Sequence, residues 1–253
     1  MKGAWLEDLS WPDVREWFES DAVVIIPIGA FAKEHGPHLP FKTDSVLARA
    51  LAEKVALELP VLIAPVIGFG YYPAFTEYPG SQNLEADTFI ALFEDLVGNL
   101  IDHGVEKIAV INTGVSTEAP LAISARTIFE ETGVLIAMAH MRTLGRDSDD
   151  LLEQKTGGHA DERETSLMLA VAPDLVRMDR AEVDYGNELT ALRTAFQQPA
   201  TFRNEPEAGL GYSKTGVCGD PTLATKEKGE AILQAMTRDL VEGIRVLFAD
   251  EKK

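Results

Sequence analysis

At 253 residues, 45% of them apolar and 25% charged, the chain has the size and balance of an ordinary soluble globular protein with a substantial core. Its formal net charge of −18 argues against nucleic acid and anionic membrane surfaces as partners, because their phosphates would be repelled. No apolar stretch nears the roughly 20 residues of a bilayer span. The first residues lack the basic-then-apolar order of a secretory signal, and the lone Cys218 has no internal disulfide partner, so a cytoplasmic location is expected.

Taken in chain order, apolar runs of β type fall at Val23–Ile28, 61–67, Ile108–Asn112 and 134–139. Helical spacing appears between them. Val46, Leu47, Ala50, Leu51 and Val55 mark a helix over 44–57, with Asp44 or Ser45 placed to cap it. Phe89, Leu92, Phe93, Leu96, Val97 and Leu100 mark a second over 86–103, where Gly104 supplies the stop. Further helices are predicted over 119–131, 163–171 and 227–248. Alternating strands and helices mean βαβ units and a mostly parallel sheet covered on both faces. Residues 179–221 read as a long polar excursion within one domain spanning 1–253.

Three constellations could carry chemistry. Glu34-His35-Gly36-Pro37-His38-Leu39-Pro40-Phe41-Lys42-Thr43-Asp44 leaves the first apolar strand, at the edge where ligands gather in parallel sheets. Glu34, His35 and Asp44 form an oxygen and nitrogen donor set suited to zinc or manganese, on a loop stiffened by two prolines and a glycine. The blander alternative is a turn in which Asp44 caps a helix. His38 fits a packing or ligand-orienting role. In the second, Gly157-Gly158-His159-Ala160-Asp161-Glu162-Arg163-Glu164, a histidine able to exchange protons near neutral pH precedes a helix opened by acids. In the third, Asn112-Thr113-Gly114-Val115-Ser116-Thr117-Glu118, the hydroxyls of Ser116 and Thr117 and the backbone N–H groups either hold a substrate oxyanion or simply cap the next helix. Dinucleotide, P-loop and nucleophile-elbow fingerprints are absent, and Cys218 has no adjacent histidine to activate it.

On these residues the chain resembles the creatininase (creatinine amidohydrolase) family. Ile26-Pro27-Ile28-Gly29 followed by Glu34-His35-Gly36-Pro37-His38-Leu39-Pro40 and Thr43-Asp44 is similar to the family's N-terminal metal motif. His159-Ala160 with Glu164-Thr165-Ser166 is similar to its second motif. Tyr78-Pro79-Gly80-Ser81 and Gly219-Asp220-Pro221-Thr222-Leu223-Ala224 look like family loops. The resemblance implies a three-layer α/β/α sandwich, usually hexameric, that hydrolyses C–N bonds of cyclic or linear amides at one or two zinc or manganese ions. It implies Glu34, His35 and Asp44 as metal ligands, with His159 in proton transfer; Glu164, on the helix that follows, is read as helping His159. Two departures stand out. Lys33-Glu34-His35, with an extra residue after Gly29, replaces the usual Glu-Gln-His, so that Glu34 either takes the place of the usual Glu through a local bulge or points elsewhere. The family's Asn-Gly-His-x-x-Asn loop is replaced by Asn112-Thr113-Gly114-Val115-Ser116-Thr117, without its histidine. Either one metal position is lost, or Glu118, His159 or Glu164 substitutes for it. Creatinine itself is then not the expected substrate. The rival reading is a metal- or small-ligand-binding protein of reduced or no activity on the same fold.

Overall fold

The computed structural model describes residues 2–186, 202–205, 207 and 211–249. Five strands make one wholly parallel sheet in the order β1-β3-β2-β4-β5: β1 Ala4–Trp5, β2 Val23–Ile28, β3 Val61–Ile63, β4 Ile108–Asn112 and β5 Ile136–His140. Every residue of β2, β3 and β4 is buried, as expected of parallel strands covered on both faces. Their side chains divide by strict alternation. Val23 and Ile25 face one core with Val61, Ile63, Ala109 and Ile111. Val24, Ile26 and Ile28 face the other with Leu62, Ile108 and Val110.

Six α-helices cover those faces: α1 Trp11–Glu19, α2 Thr43–Glu58, α3 Ala86–Asp102, α4 Glu118–Thr132, α5 Glu162–Val171 and α6 Lys226–Leu247. Leu47, Leu51 and Val55 of α2, Leu167 and Met168 of α5, and Ile232, Met236 and Ile244 of α6 seal the first core. Trp17 of α1, Phe89, Phe93 and Val97 of α3, and Leu121 and Ile128 of α4 seal the second. The result is the three-layer α/β/α sandwich that the resemblance implies.

Four of the five strands and five of the six helices match the sequence reading, with shifted ends. The second apolar run pairs only through Ile63, because Pro65 has no N–H to give; Ile67 returns to the sheet as an isolated bridge to Ile28. Asp44 is not the cap of α2. Lys42 holds that position, and Asp44 lies in the first turn, fully buried. Of the long excursion over 179–221, residues 187–201, 206 and 208–210 lie outside the described residues, and the remainder makes short bridges and turns.

Register places the site. β2 and β4 pair from Val24↔Ile108 to Ile28↔Asn112, so the loops that follow Ile28 and Asn112 leave the sheet side by side. Thr113 joins them. Its backbone N–H donates to the Ile28 carbonyl at 3.0 Å, and its hydroxyl lies 3.0 Å from the Asp44 carbonyl. Gly29 makes this approach possible, since a Cβ there would collide with the Asp44 backbone.

Candidate metal centre

At this edge the chain gathers Lys33, Glu34, His35, Asp44, His159 and Glu164, brought in from β2, α2 and the start of α5. His35 and Asp44 are fully buried and His159 nearly so. Among the described residues, the three side chains whose ligand atoms all lie within 4.8 Å of one another are His35, His159 and Glu164.

Hydrogen bonds define which imidazole nitrogens remain available. His35 Nδ1 lies 2.8 Å from the Lys33 carbonyl, an acceptor only, so Nδ1 carries a proton and donates it there. In the neutral ring Nε2 then presents a lone pair, and it faces Asp44 Oδ1 at 3.1 Å. His159 Nε2 lies 2.8 Å from the Glu34 carbonyl and 3.0 Å from Glu34 Oε2, so that nitrogen is the donor. His159 Nδ1 is left facing Glu164 Oε2 at 3.9 Å. A positive charge shared between nitrogen and oxygen, either a second ring proton or a bound cation, holds each of these pairs together. Asp44 Oδ2, by contrast, is already matched by the Lys33 ammonium, whose Nζ lies 2.6 Å away. Nitrogen and oxygen donors with unspent lone pairs are what a borderline divalent cation takes, so the residues present fit one.

Backbone geometry holds the cluster. His159 forms a two-way antiparallel bridge with Cys218, which fixes where the ring enters. Ala160 follows in the left-handed region at φ 48°, and its N–H donates to Glu164 Oε2 at 2.6 Å. Asp161 caps α5 by accepting the Glu164 N–H. Gly216, at φ 78°, lies against the Glu34 carboxylate where any Cβ would clash. Phe75 lies tilted against His159 with ring centroids 4.3 Å apart, and Phe202 meets it edge-on at 5.2 Å, so one wall of the site is aromatic.

Electrostatics follow from these contacts. Burial pushes Glu164 up to about 7, further than His159 pulls it down. Burial also raises Asp44, but Lys33 and His35 more than offset it and hold this carboxyl well below the usual range. Glu34 is likewise raised by burial and lowered further by His159, Gly36 and His35, ending below normal. The buried Tyr72 hydroxyl, without a hydrogen-bond partner, is made harder to ionise by burial and then by Asp44.

Of the residues singled out in the sequence, His35, Asp44, His159 and Glu164 come together. Glu34, expected beside His35 and Asp44, instead turns its carboxylate to His159 and the Gly36 N–H. His38 bonds Thr165 Oγ1 at 2.8 Å, a packing partner of α5. Thr117 spends its hydroxyl inside its own loop, on Asn112 Oδ1 and the Gly114 carbonyl, both at 2.7 Å. Ser116 is half-buried at the loop's turn. Glu118 pairs with Arg142 at 2.5 Å. Sequence reasoning passed over Lys33 and Thr113. A lysine between an apolar run and a Glu-His pair was the available signal for the first. Beside the centre a cleft of about 270 Å³, lined by Thr113, Arg142, Gln154, Arg163 and Glu164, gives access from outside.

Histidines and carboxylates thus gather at the carboxyl ends of the strands of a parallel α/β/α sandwich, where ligands of such open sheets collect. The family model described as creatinine amidohydrolase matches residues 7–244. The chain therefore belongs to the creatininase family of amidohydrolases. It is 24% identical to creatinine amidohydrolase of Pseudomonas putida over 98% of both chains. It is 28% identical to mycofactocin precursor peptide peptidase of Mycobacterium tuberculosis, covering 87% of this chain and 84% of that one. A mutant creatininase described as Zn-Zn type superposes with TM-score 0.85 at 22% identity, over 98% of this chain and 100% of that one. A manganese creatininase superposes at 0.82 with 24% identity over the same shares.

Proposed function

We propose that the protein is a metal-dependent amidohydrolase cleaving a C–N bond of a small cyclic or linear amide. The observation that carries the reading is the convergence of His35, His159 and Glu164, from segments 124 positions apart in sequence (35 to 159), on one volume with their ligand atoms within 4.8 Å. His35 Nε2, His159 Nδ1 and a Glu164 oxygen are the proposed donors to one divalent ion, with Asp44 Oδ1 at hand as a fourth. Bound there, zinc or manganese supplies an activated water and polarises the substrate carbonyl.

The chain's own residues do the rest. Glu34, by accepting the His159 Nε2 proton, fixes that ring's tautomer and direction, as carboxylate partners of ligating histidines commonly do. Lys33 does the same for His35 through its carbonyl. Of the two residues proposed to move a proton to the leaving nitrogen, His159 has its Nε2 proton committed to Glu34, which leaves the task to the Glu164 carboxylate. Ser116, on the neighbouring loop, is the proposed substrate contact; Thr117 supports that loop from within. The 270 Å³ cleft suits a small molecule. A cytoplasmic homo-oligomer, hexameric by family resemblance, completes the reading.

Metal analysis of the purified protein, joined to a screen of small amides with and without chelator, tests it. Stoichiometric zinc or manganese and chelator-sensitive hydrolysis are expected, with His35→Ala and Glu164→Gln each lowering the rate by about 10²-fold or more. Protein that carries no divalent metal and gains none on titration overturns the reading. A bound ion with no turnover across the library favours the non-catalytic binder.

A further inference from the structure

Lys33 is the one residue of the cluster that the metal reading leaves without a role for its side chain. It is 4% exposed, and its ammonium lies 2.6 Å from Asp44 Oδ2. The other oxygen of the same carboxylate lies 3.1 Å from His35 Nε2, the lone-pair nitrogen of the proposed ion site. Asp44 is thus a carboxylate divided between two electropositive positions, one open to an ion and one already filled by the chain. The second position is built for an ammonium. Phe75 and Tyr72 turn their rings to Lys33 Nζ at 5.0 and 5.7 Å from the centroids, which stabilises a cation through the ring faces.

Charge leads to the same place. Three carboxylates, Glu34, Asp44 and Glu164, surround the two histidines, and Lys33 is the cation among them. The Lys33 ammonium already sits on the Oδ2 side of Asp44, so one ion on the Oδ1 side and a second on the Oδ2 side would crowd like charges into a buried site, which is penalised heavily.

We propose that the Lys33 ammonium stands in for a second metal ion, so that this centre takes one divalent cation where a relative of the same fold is described as Zn-Zn. The inference rests on the metal reading above and concerns how many ions that site accepts. Its consequence for the chemistry is that Asp44 is held ionised and oriented from within the chain rather than by a second ion.

The test is stoichiometry, with affinity as its second readout. Wild-type protein, freed of metal by chelator and dialysed against zinc chloride or manganese chloride, is expected to retain one ion per chain by elemental analysis. Lys33→Glu puts a carboxylate in place of the ammonium beside Asp44 Oδ2, and is expected to retain two. Lys33→Gln removes a buried like charge beside the ion and is expected to bind its first ion about tenfold more tightly or better in a calorimetric titration. Circular dichroism checks that each variant is folded; if Lys33→Glu is not, the wild-type count and Lys33→Gln decide. Two ions per wild-type chain, or Lys33→Gln binding with unchanged or weaker affinity, overturns the inference while leaving the amidohydrolase reading intact. No retained ion in the wild type overturns the metal reading itself.

Discussion

His38 shows how a single buried side chain can tie stability to pH. It is 1% exposed, accepts from or donates to Thr165 Oγ1 through Nε2, and leaves Nδ1 without a hydrogen-bond partner. Burial, aided by His35 and His159 and opposed by Glu34, pushes its imidazole down to about 4. The unfolded chain takes up that proton nearer the ordinary value of about 6.5. The folded pKa is therefore the lower one, and the stability linked to His38 is complete above about 6.5 and is lost as pH falls toward 4. Urea unfolding of metal-free protein at about pH 7.5 and 4.5 should show a larger loss for wild type than for His38→Gln, which cannot titrate. Equal losses in the two proteins would rule this out. At this scale, what the sequence discloses is set by distance along the chain. His35 and Asp44, nine positions apart on a rigid loop, were legible as neighbours. The meeting of His35 with His159 and Glu164 depends on tertiary closure, which no local pattern encodes, and reached the sequence reading only through family resemblance. The inward turn of Lys33 and the swing of Glu34 toward His159 were hidden for a related reason: adjacent loop residues have no periodicity that assigns a face.

At the level of elements, the site depends on how closely α5 is held against α6. Gly229 is the point of contact, where a Cβ would strike the Ser166 carbonyl, two residues beyond Glu164. Gly229→Ala must push the helices apart, at a cost of about 1–3 kcal/mol from overpacking. Because α5 carries Glu164, hydrolysis should fall along with the melting temperature. Gly243 in the same helix is the control: nothing lies within 4 Å of its added Cβ, so Gly243→Ala should stabilise by up to about 1 kcal/mol through helix propensity. Thermal melts of the two variants giving the same sign would refute the assignment. The long amphipathic helices were legible because 15 to 22 residues of 3.6-residue spacing leave little ambiguity. Two residues of β1 carry no such pattern. The nine-residue α1 did leave a signal, Ser10 with Asp13 three positions later as a capping box and Pro12 in the first turn, which apolar periodicity alone passes over.

Across the whole molecule, the proposed centre joins three segments, the loop after β2, the start of α2 and the start of α5, which also touch through His38–Thr165, Glu34–His159 and Lys33–Asp44. An ion held by His35, His159 and Glu164 binds only when all of these are in place, so its binding free energy adds to the stability of the complete fold. At a free ion concentration of 100 times the dissociation constant, that contribution is about 2.7 kcal/mol. For a chain of this length it corresponds to a rise of roughly 5–10 °C in melting temperature. The net charge of −18 supplies a competing explanation, since any divalent cation gathers at so acidic a surface and screens its self-repulsion. The two effects differ in chemistry. Surface screening is indifferent to the identity of the ion and disappears at high ionic strength, whereas imidazole donors favour zinc or manganese over calcium and are buried away from salt. Melts of metal-free protein in 0.5 M sodium chloride should therefore shift upward with micromolar zinc or manganese and not with calcium, and His35→Ala should abolish the shift. A calcium shift as large as that of zinc, or one that survives in His35→Ala, would assign the stabilisation to the acidic surface and remove the centre from its place in the fold's energetics.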